Sequence, residues 1–395
     1  MNRFFVSTPI GFENTALLEM KEVWPYLLGK DAKTHSLSFP EVTVHMGGLE
    51  FETELFQALQ LNFFLKTANR VLLRMTSFRT KDLPKFYQKF KSLPWKEFLQ
   101  NGNVEWEVAA QKSRLNNEKR LQESAEKALA EIFQGQTGET SCASIYIRME
   151  DDLCTISLDA TGEHLHKRGW SVLKGEAPMR ETIAAELLRE MIGEATPGEV
   201  ASVTLCDPMM GSGTFLTEAR ALWAGQFQRD FAFKQWKKCP KLFLSPSFAF
   251  NYELPMRAPF QSLMGFDIND EMPEIAQKNF AEVESQLKAY QRAEFQPQAH
   301  QFSVQNALNP KGTDLPDSLW MVVNPPYGER LPVAGKGGLK TLAAELCRLY
   351  KPLKLGILYP EKDKVQPAPN GYKIEKELKI NNGGIRCLFT ILTPL

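Results

Sequence analysis

Five consecutive apolar residues, Leu319-Trp320-Met321-Val322-Val323, run directly into Asn324-Pro325-Pro326-Tyr327-Gly328. The run reads as a buried strand, and it has to stop at the prolines, because each lacks an N–H and fixes φ. The stiff backbone that follows can turn its carbonyls outward, and the amide of Asn324 adds a further oxygen acceptor beside them. Two such acceptors next to the ring of Tyr327 can hold an exocyclic amine by its hydrogens while the ring stacks on the base that carries it. The same residues also suit a plain strand terminator followed by a turn, with Tyr327 an ordinary interfacial aromatic. The pentapeptide alone does not choose between them.

A second motif lies upstream. Val203-Thr204-Leu205-Cys206-Asp207-Pro208-Met209-Met210-Gly211-Ser212-Gly213-Thr214 reads as a short buried strand and a glycine-bearing turn, with a helix starting near Thr214 and Phe215, Leu216, Ala219 and Leu222 on its inner side. Gly211 and Gly213 permit positive φ and let a ligand lie against the main chain. The dinucleotide fingerprint G-x-G-x-x-G fails, because Leu216 stands at the third glycine position, and there is no phosphate-binding G-x-x-x-x-G-K-[ST] loop. An acid before the glycines, Asp207, suits a cationic or zwitterionic ligand such as S-adenosylmethionine better than a pyrophosphate. Asp267, ending a strand over residues 262–268, stands where a ribose diol is bound in a doubly wound sheet. Asn306, at the end of a strand over 302–307, can accept from an adenine amino group. Each acid alone is equally a solvated helix cap. Four motifs in this order, all at strand C-termini, make coincidence a poor explanation.

Residues from about 161 to 395 resemble class I S-adenosylmethionine-dependent methyltransferases of the amino-methylating type, with the signature [DNS]-P-P-[YFW]. They are more specifically similar to the bacterial THUMP-domain guanine-N2 methyltransferases of 23S rRNA, the large-subunit methyltransferase L type. The resemblance is carried by His164-Leu165-His166-Lys167-Arg168-Gly169-Trp170, Ala177-Pro178-Met179-Arg180-Glu181-Thr182-Ile183-Ala184-Ala185, the Asp207 to Thr214 turn, and Asn324-Pro325-Pro326-Tyr327-Gly328-Glu329-Arg330. It implies a methyltransferase acting on the N2 amine of a guanine in RNA. It assigns catalysis to Asn324, Pro325, Pro326 and Tyr327, and cofactor binding to Thr182, Asp207, Pro208, Gly211, Gly213, Thr214, Asp267, Asn306 and Asn324. Two positions depart from the pattern: Asn306 where relatives often carry Asp, and Met210 where Cys is common. Lys167, Arg168 and Arg330 are expected to guide the RNA backbone. The second methyltransferase domain of fused relatives is expected to be absent. A tRNA guanine-N2 methyltransferase has the same plan, a DNA adenine methyltransferase shares the clamp, and a non-catalytic RNA-binding assembly factor is the reading from another class.

Three segments are expected from 395 residues: a ferredoxin-like piece over 1–46, a THUMP RNA-binding domain over 47–160, and the methyltransferase domain over 161–395. The fold class expected is therefore α/β, a doubly wound Rossmann-like domain preceded by an α+β module. Within that module, helices are expected over 14–28, 51–61, 83–91 and 117–133, and strands over 3–8, 41–45, 71–75 and 104–110. Residues 144–149 and 155–159 should form a hairpin. The THUMP resemblance rests on Gln111-Lys112-Ser113-Arg114 through Ala128, with Leu93-Pro94-Trp95 upstream.

Formal charge is balanced, with 47 basic and 47 acidic residues, so it names no partner. Its distribution is more telling. Nine bases (Lys66, Arg70, Arg74, Arg79, Lys81, Lys85, Lys89, Lys91, Lys96) stand against one acid, Asp82, which suits a phosphate-facing surface or a solvated helix face. Over 226–259, aromatic residues interleave with Arg229, Lys234, Lys237, Lys238 and Lys241; they can stack bases, or pack as a self-contained apolar loop. The six cysteines form no C-x-x-C pair and do not cluster with the five histidines, so no metal is expected, and free thiols point to a reducing, cytoplasmic setting.

Overall fold

The computed structural model describes residues 1–29, 38–135, 143–173, 179–252, 259–291, 295–310, 314–326, 338–363 and 368–395. Its first part runs β1 (Asn2–Ser7), α1 (Glu13–Val23), β2 (Val42–His45), β3 (Gly48–Thr53), α2 (Leu55–Phe64), β4 (Arg70–Arg79), α3 (Leu83–Lys91), α4 (Trp95–Phe98), β5 (Glu105–Gln111), α5 (Glu118–Ile132), β6 (Ser144–Glu150) and β7 (Leu153–Asp159). The rest is α6 (Glu181–Ile192), α7 (Pro197–Val200), β8 (Thr204–Asp207), α8 (Thr214–Ala221), β9 (Ser262–Asp267), α9 (Met272–Gln291), β10 (Ala299–Val304), β11 (Leu319–Val323), α10 (Leu339–Tyr350), β12 (Lys354–Pro360), β13 (Tyr372–Asn382) and β14 (Ile385–Pro394). Two compact units result. The first comprises Met1–Thr8, Leu17–Leu165 and Gln226–Glu253; the second comprises Pro9–Ala16, His166–Gly225 and Leu254–Leu395.

In the first unit, β1 to β7 share one sheet in the order β2-β3-β1-β4-β7-β6-β5. All its pairs are antiparallel except β5 with β6. Residues 46 and 47 form the turn of the β2–β3 hairpin, where Gly47 has φ +83°. The helix expected over 51–61 is corrected by β3. Phe51 pairs with Phe4 and Val42, and Leu49 and Phe51 point inward while Glu50 and Glu52 face outward to Arg74 (3.3 Å) and Arg3 (3.1 Å). The helix begins only at Leu55, and Phe56 through Phe64 are all buried. A helix apolar on every side belongs in a core and carries no amphipathic signature.

The segment 226–253 supplies that core's cover. Phe243 stacks on Phe56 at 4.9 Å, Phe231 and Phe248 meet Phe63 at 5.1 and 4.8 Å, and Tyr252 meets Phe64 at 5.0 Å. Tyr252 Oη also donates to Gln60 Oε1 at 2.9 Å. Some of its cations are tied as well: Arg229 donates to the Glu163, His164 and Leu165 carbonyls, and Lys238 pairs with Glu97. With Phe231, Phe243, Phe248 and Tyr252 buried, most of the segment is packing for α2; Phe250, Lys237 and Lys241 are exposed.

The second unit is a seven-stranded sheet ordered β10-β9-β8-β11-β12-β14-β13, parallel from β10 through β12 and antiparallel for β14 and β13. Successive residues of its central strands feed opposite layers. Leu205, Trp320 and Val322 pack with α6, α8 and α9, whereas Cys206, Met321 and Val323 pack with α10. Burial on both faces is why these strands read as unbroken apolar runs. The polypeptide leaves β8 toward β9 and β10, then returns to lay β11 on the other side of β8. That reversal is the topological switch point, outside whose carboxyl strand ends open α/β sheets bind ligands.

Candidate active site

β8 ends at Asp207, and the turn that follows enters α8 at Thr214 with Gly213 in the left-handed region at φ +84°. Gly211 has φ +52°, and a Cβ there would meet nothing within 4 Å, so its Cα faces open space. At Gly213 a Cβ would come within 3.0 Å of the Ala276 Cβ, so α9 approaches too closely for a side chain. Three bonds fix the turn. Gly211 N–H donates to Asp267 Oδ2 (2.9 Å), Gly213 N–H to the Met210 carbonyl (2.8 Å), and Met210 N–H to the Phe266 carbonyl (2.8 Å). The glycine turn is thereby tied to the end of β9, and the first N–H groups of α8 have no acceptor within the helix.

Asp207 is 2% exposed, and Pro208 beside it is buried. Burial pushes the Asp207 carboxyl from the ordinary 3.8 up to about 8; a 3.1 Å hydrogen bond from Met209 N–H opposes this, and the charge of Asp267 adds to it. The unfolded protein ionises from 3.8 while the native carboxyl keeps its proton to about 8, so between these values the native state binds more protons and stability falls as pH rises. Asp207→Asn is expected to remove that slope in the cofactor-free protein. Urea midpoints of both proteins at the two ends of the window check it; a stability difference that does not change with pH contradicts it.

Asp267 accepts Asn269 N–H on Oδ1 at 2.9 Å as well as Gly211 N–H on Oδ2, and each oxygen keeps a further lone pair. β10 lies three residues earlier than the sequence suggests, ending at Val304, so exposed Asn306 lies two residues beyond it. Asn306 Oδ1 is turned onto Leu308 N–H at 2.9 Å. The neighbouring Gln305 N–H reaches the Asp267 carbonyl at 2.8 Å, which holds this segment against the end of β9.

On the other side of β8, Met321 pairs with Cys206, so Asp207 and the end of β11 leave the sheet at the same edge. Asn324 follows β11 directly, with Pro325 buried and Pro326 half-buried. Asn324 Oδ1 is buried and has no hydrogen-bond partner among the described residues. Thr182 Oγ1, in the first turn of α6, is likewise buried without a partner among them. A buried acceptor left unsatisfied costs about 1–3 kcal/mol, so each of these atoms is open to a hydrogen bond from a ligand or a water molecule. Tyr327 and Arg330 lie outside the described residues.

Two expectations about cations are corrected. Arg168 cannot reach an RNA backbone, because it is 1% exposed and clasps Glu218 of α8 through contacts of 3.0 to 3.2 Å, both side chains fully buried. The basic run of 66–96 is also not one surface. Lys66 is fully buried, Arg70 pairs with buried Asp159, and Arg74 pairs with Glu50 and lies over the Phe5 ring at 4.1 Å. Arg79, Lys81, Lys85, Lys89, Lys91 and Lys96 are exposed. One site residue escaped the sequence reading: Asn279 of α9 is 2% exposed and donates to the Ser212 carbonyl inside the glycine turn at 3.0 Å. Its signal was a lone amide on the apolar face formed by Ala276, Phe280 and Val283.

Among the described residues no three His, Cys, Asp or Glu side chains are grouped to hold a metal ion, and no helix is long and apolar enough to cross a membrane. Residues 168–355 match the family model UPF0020, described as "RMKL-like, methyltransferase domain". The protein is 28% identical to "Putative RNA methyltransferase YpsC" of Bacillus subtilis (strain 168), over 96% of its own length and 93% of that relative's. It is also 28% identical to "Ribosomal RNA large subunit methyltransferase K/L" of Psychromonas ingrahamii, over 87% of its own length but only 45% of that protein, so it spans about half the length of that relative. The crystal structure of SMU.472 complexed with SAH superposes with a TM-score of 0.75 at 22% identity, covering 100% of this protein and 98% of that one. The second unit has the fold of the S-adenosylmethionine-dependent methyltransferases.

Proposed function

We propose that this protein transfers the methyl group of S-adenosylmethionine to the exocyclic N2 amine of a guanine in RNA, and that the RNA is 23S rRNA. The observation that carries the reading is Asn324 Oδ1, a buried acceptor without a protein partner among the described residues, at the end of the strand beside the switch point. The residues present fit the cofactor. Gly211 leaves its Cα open, Thr182 Oγ1 awaits a partner, and Asp267 keeps lone pairs for ribose hydroxyls. Pro208, Gly213 and Thr214 shape the turn that leads into α8, Asp207 gives it a carboxyl, and Asn306 keeps one Oδ1 lone pair for an adenine amine.

A guanine N2 lone pair is delocalised into the ring and is a poor nucleophile. Asn324 Oδ1 and the Pro325 carbonyl accept its two N–H bonds, which favours a pyramidal nitrogen and aims the lone pair. Pro326 stiffens the rim, and Tyr327 fixes the base plane by stacking. These groups act by orientation and preorganised dipoles. When bound, the cofactor supplies an electrophilic sulfonium methyl; the N–C bond forms as C–S breaks toward sulfur, leaving S-adenosylhomocysteine and a nitrogen acidic enough to lose its extra proton to water. No dedicated base is assigned. Because pairing hides this amine, the guanine is unpaired or flipped out, and the first unit selects the RNA, with exposed Lys85, Lys89 and Lys96 as phosphate contacts.

The name of the K/L relative favours large-subunit rRNA over tRNA. Incubation with methyl-labelled S-adenosylmethionine and either unmodified 23S rRNA or unmodified tRNA tests the choice. Label in 23S rRNA is expected; label in tRNA alone would move the substrate class, and label in neither would overturn the reading.

A further inference from the structure

The glycine turn is held by a buried side chain of α9. Asn279 is buried on the inner face of α9, and its amide makes three hydrogen bonds to main-chain groups. Nδ2 donates to the Ser212 carbonyl (3.0 Å) and to the Leu173 carbonyl (2.9 Å), while Oδ1 accepts from Leu173 N–H (3.0 Å). Fixing the Ser212 carbonyl fixes the plane of the peptide joining Ser212 to Gly213. The other end of that peptide, Gly213 N–H, is already bound to the Met210 carbonyl at 2.8 Å. One rigid peptide thus sits between Gly211, whose Cα is open, and the first turn of α8. The same amide closes a two-bond ring with the Leu173 backbone, so it clamps a second stretch of backbone to the turn.

We propose that Asn279 is a positioning residue for the cofactor: it sets the orientation of the glycine turn, and so the affinity for S-adenosylmethionine, without acting on the methyl-transfer step. The inference rests on the reading of the turn as the cofactor site. Asparagine is required because the clamp needs a donor toward Ser212 together with a donor and an acceptor toward Leu173. Leucine of similar volume satisfies none of these, and aspartate keeps only the acceptor, turning an oxygen toward the Ser212 carbonyl.

The test compares Asn279→Leu and Asn279→Asp with the unchanged protein in titration calorimetry with S-adenosylhomocysteine, in steady-state methylation, and in thermal melts. Both variants are expected to raise Kd and the cofactor KM by about tenfold or more, with kcat at saturating cofactor held within about twofold and the KM for RNA unchanged. Melting temperatures establish that the variants are folded where binding is measured; if Asn279→Leu does not fold, the Asn279→Asp result decides. A folded variant with lowered melting temperature but unaltered Kd overturns the proposal and leaves Asn279 a packing residue. A fall in kcat with Kd unchanged also overturns it. Failure of the unchanged protein to bind S-adenosylhomocysteine would instead overturn the reading beneath it.

Discussion

Asn324→Ala is expected to lower kcat for methyl transfer by about 10²–10³-fold, the loss typical when one preorganised polar group facing a transition state is removed. The Kd for S-adenosylmethionine should stay within severalfold. Asn324 Oδ1 is a buried acceptor without a partner among the described residues, and an amine that donates to it would satisfy it. The amine hydrogens become more acidic as positive charge develops on the nitrogen, so the contact strengthens in the transition state and registers in kcat. Asn324→Asp keeps an oxygen acceptor and is expected to retain more activity than alanine. Single-turnover assays with cofactor in excess separate the two effects. An alanine variant with full turnover would remove Asn324 from the mechanism.

Glu218→Ala is expected to destabilise the protein by about 3–5 kcal/mol, the usual result of removing one partner from a buried ion pair. Arg168 and Glu218 have fully buried side chains, and the guanidinium meets the carboxylate through Nε and a terminal nitrogen, so the substitution strips a desolvated cation of this carboxylate. The pair itself need not be a large net stabiliser. Arg168→Met with Glu218→Leu removes both charges together and should recover most of the loss. Urea unfolding of Arg168→Met, Glu218→Leu and the double variant, beside Glu218→Ala, completes the cycle. A Glu218→Ala midpoint close to that of the unchanged protein would contradict the burial argument.

What the sequence disclosed were features with local causes. Helix α3 falls on the expected residues 83–91 because Asp82 caps it, accepting Lys85 N–H at 2.8 Å. Helix α8 starts at Thr214 because Gly213 takes the left-handed conformation that ends the turn. Strand β11 stops where the prolines require. The misreadings come from tertiary context. Leu49 and Phe51 run almost directly into a helix buried on all sides, so periodicity could not separate strand from helix. The rings after Gln226 find their partners on α2, far earlier in the sequence, and no local pattern announces that. Arg168, like Lys66 and Arg70, was assigned to solvent because cations usually are, whereas its charge is met inside the fold.

The central claim is that the rim at Asn324 presents acceptors to a guanine amine. Nucleoside mass spectrometry of 23S rRNA methylated by this protein tests it most directly. The account predicts that all transferred label is recovered as N2-methylguanosine; label recovered as methyladenosine, or as a guanosine methylated on the ring or the ribose, would contradict it.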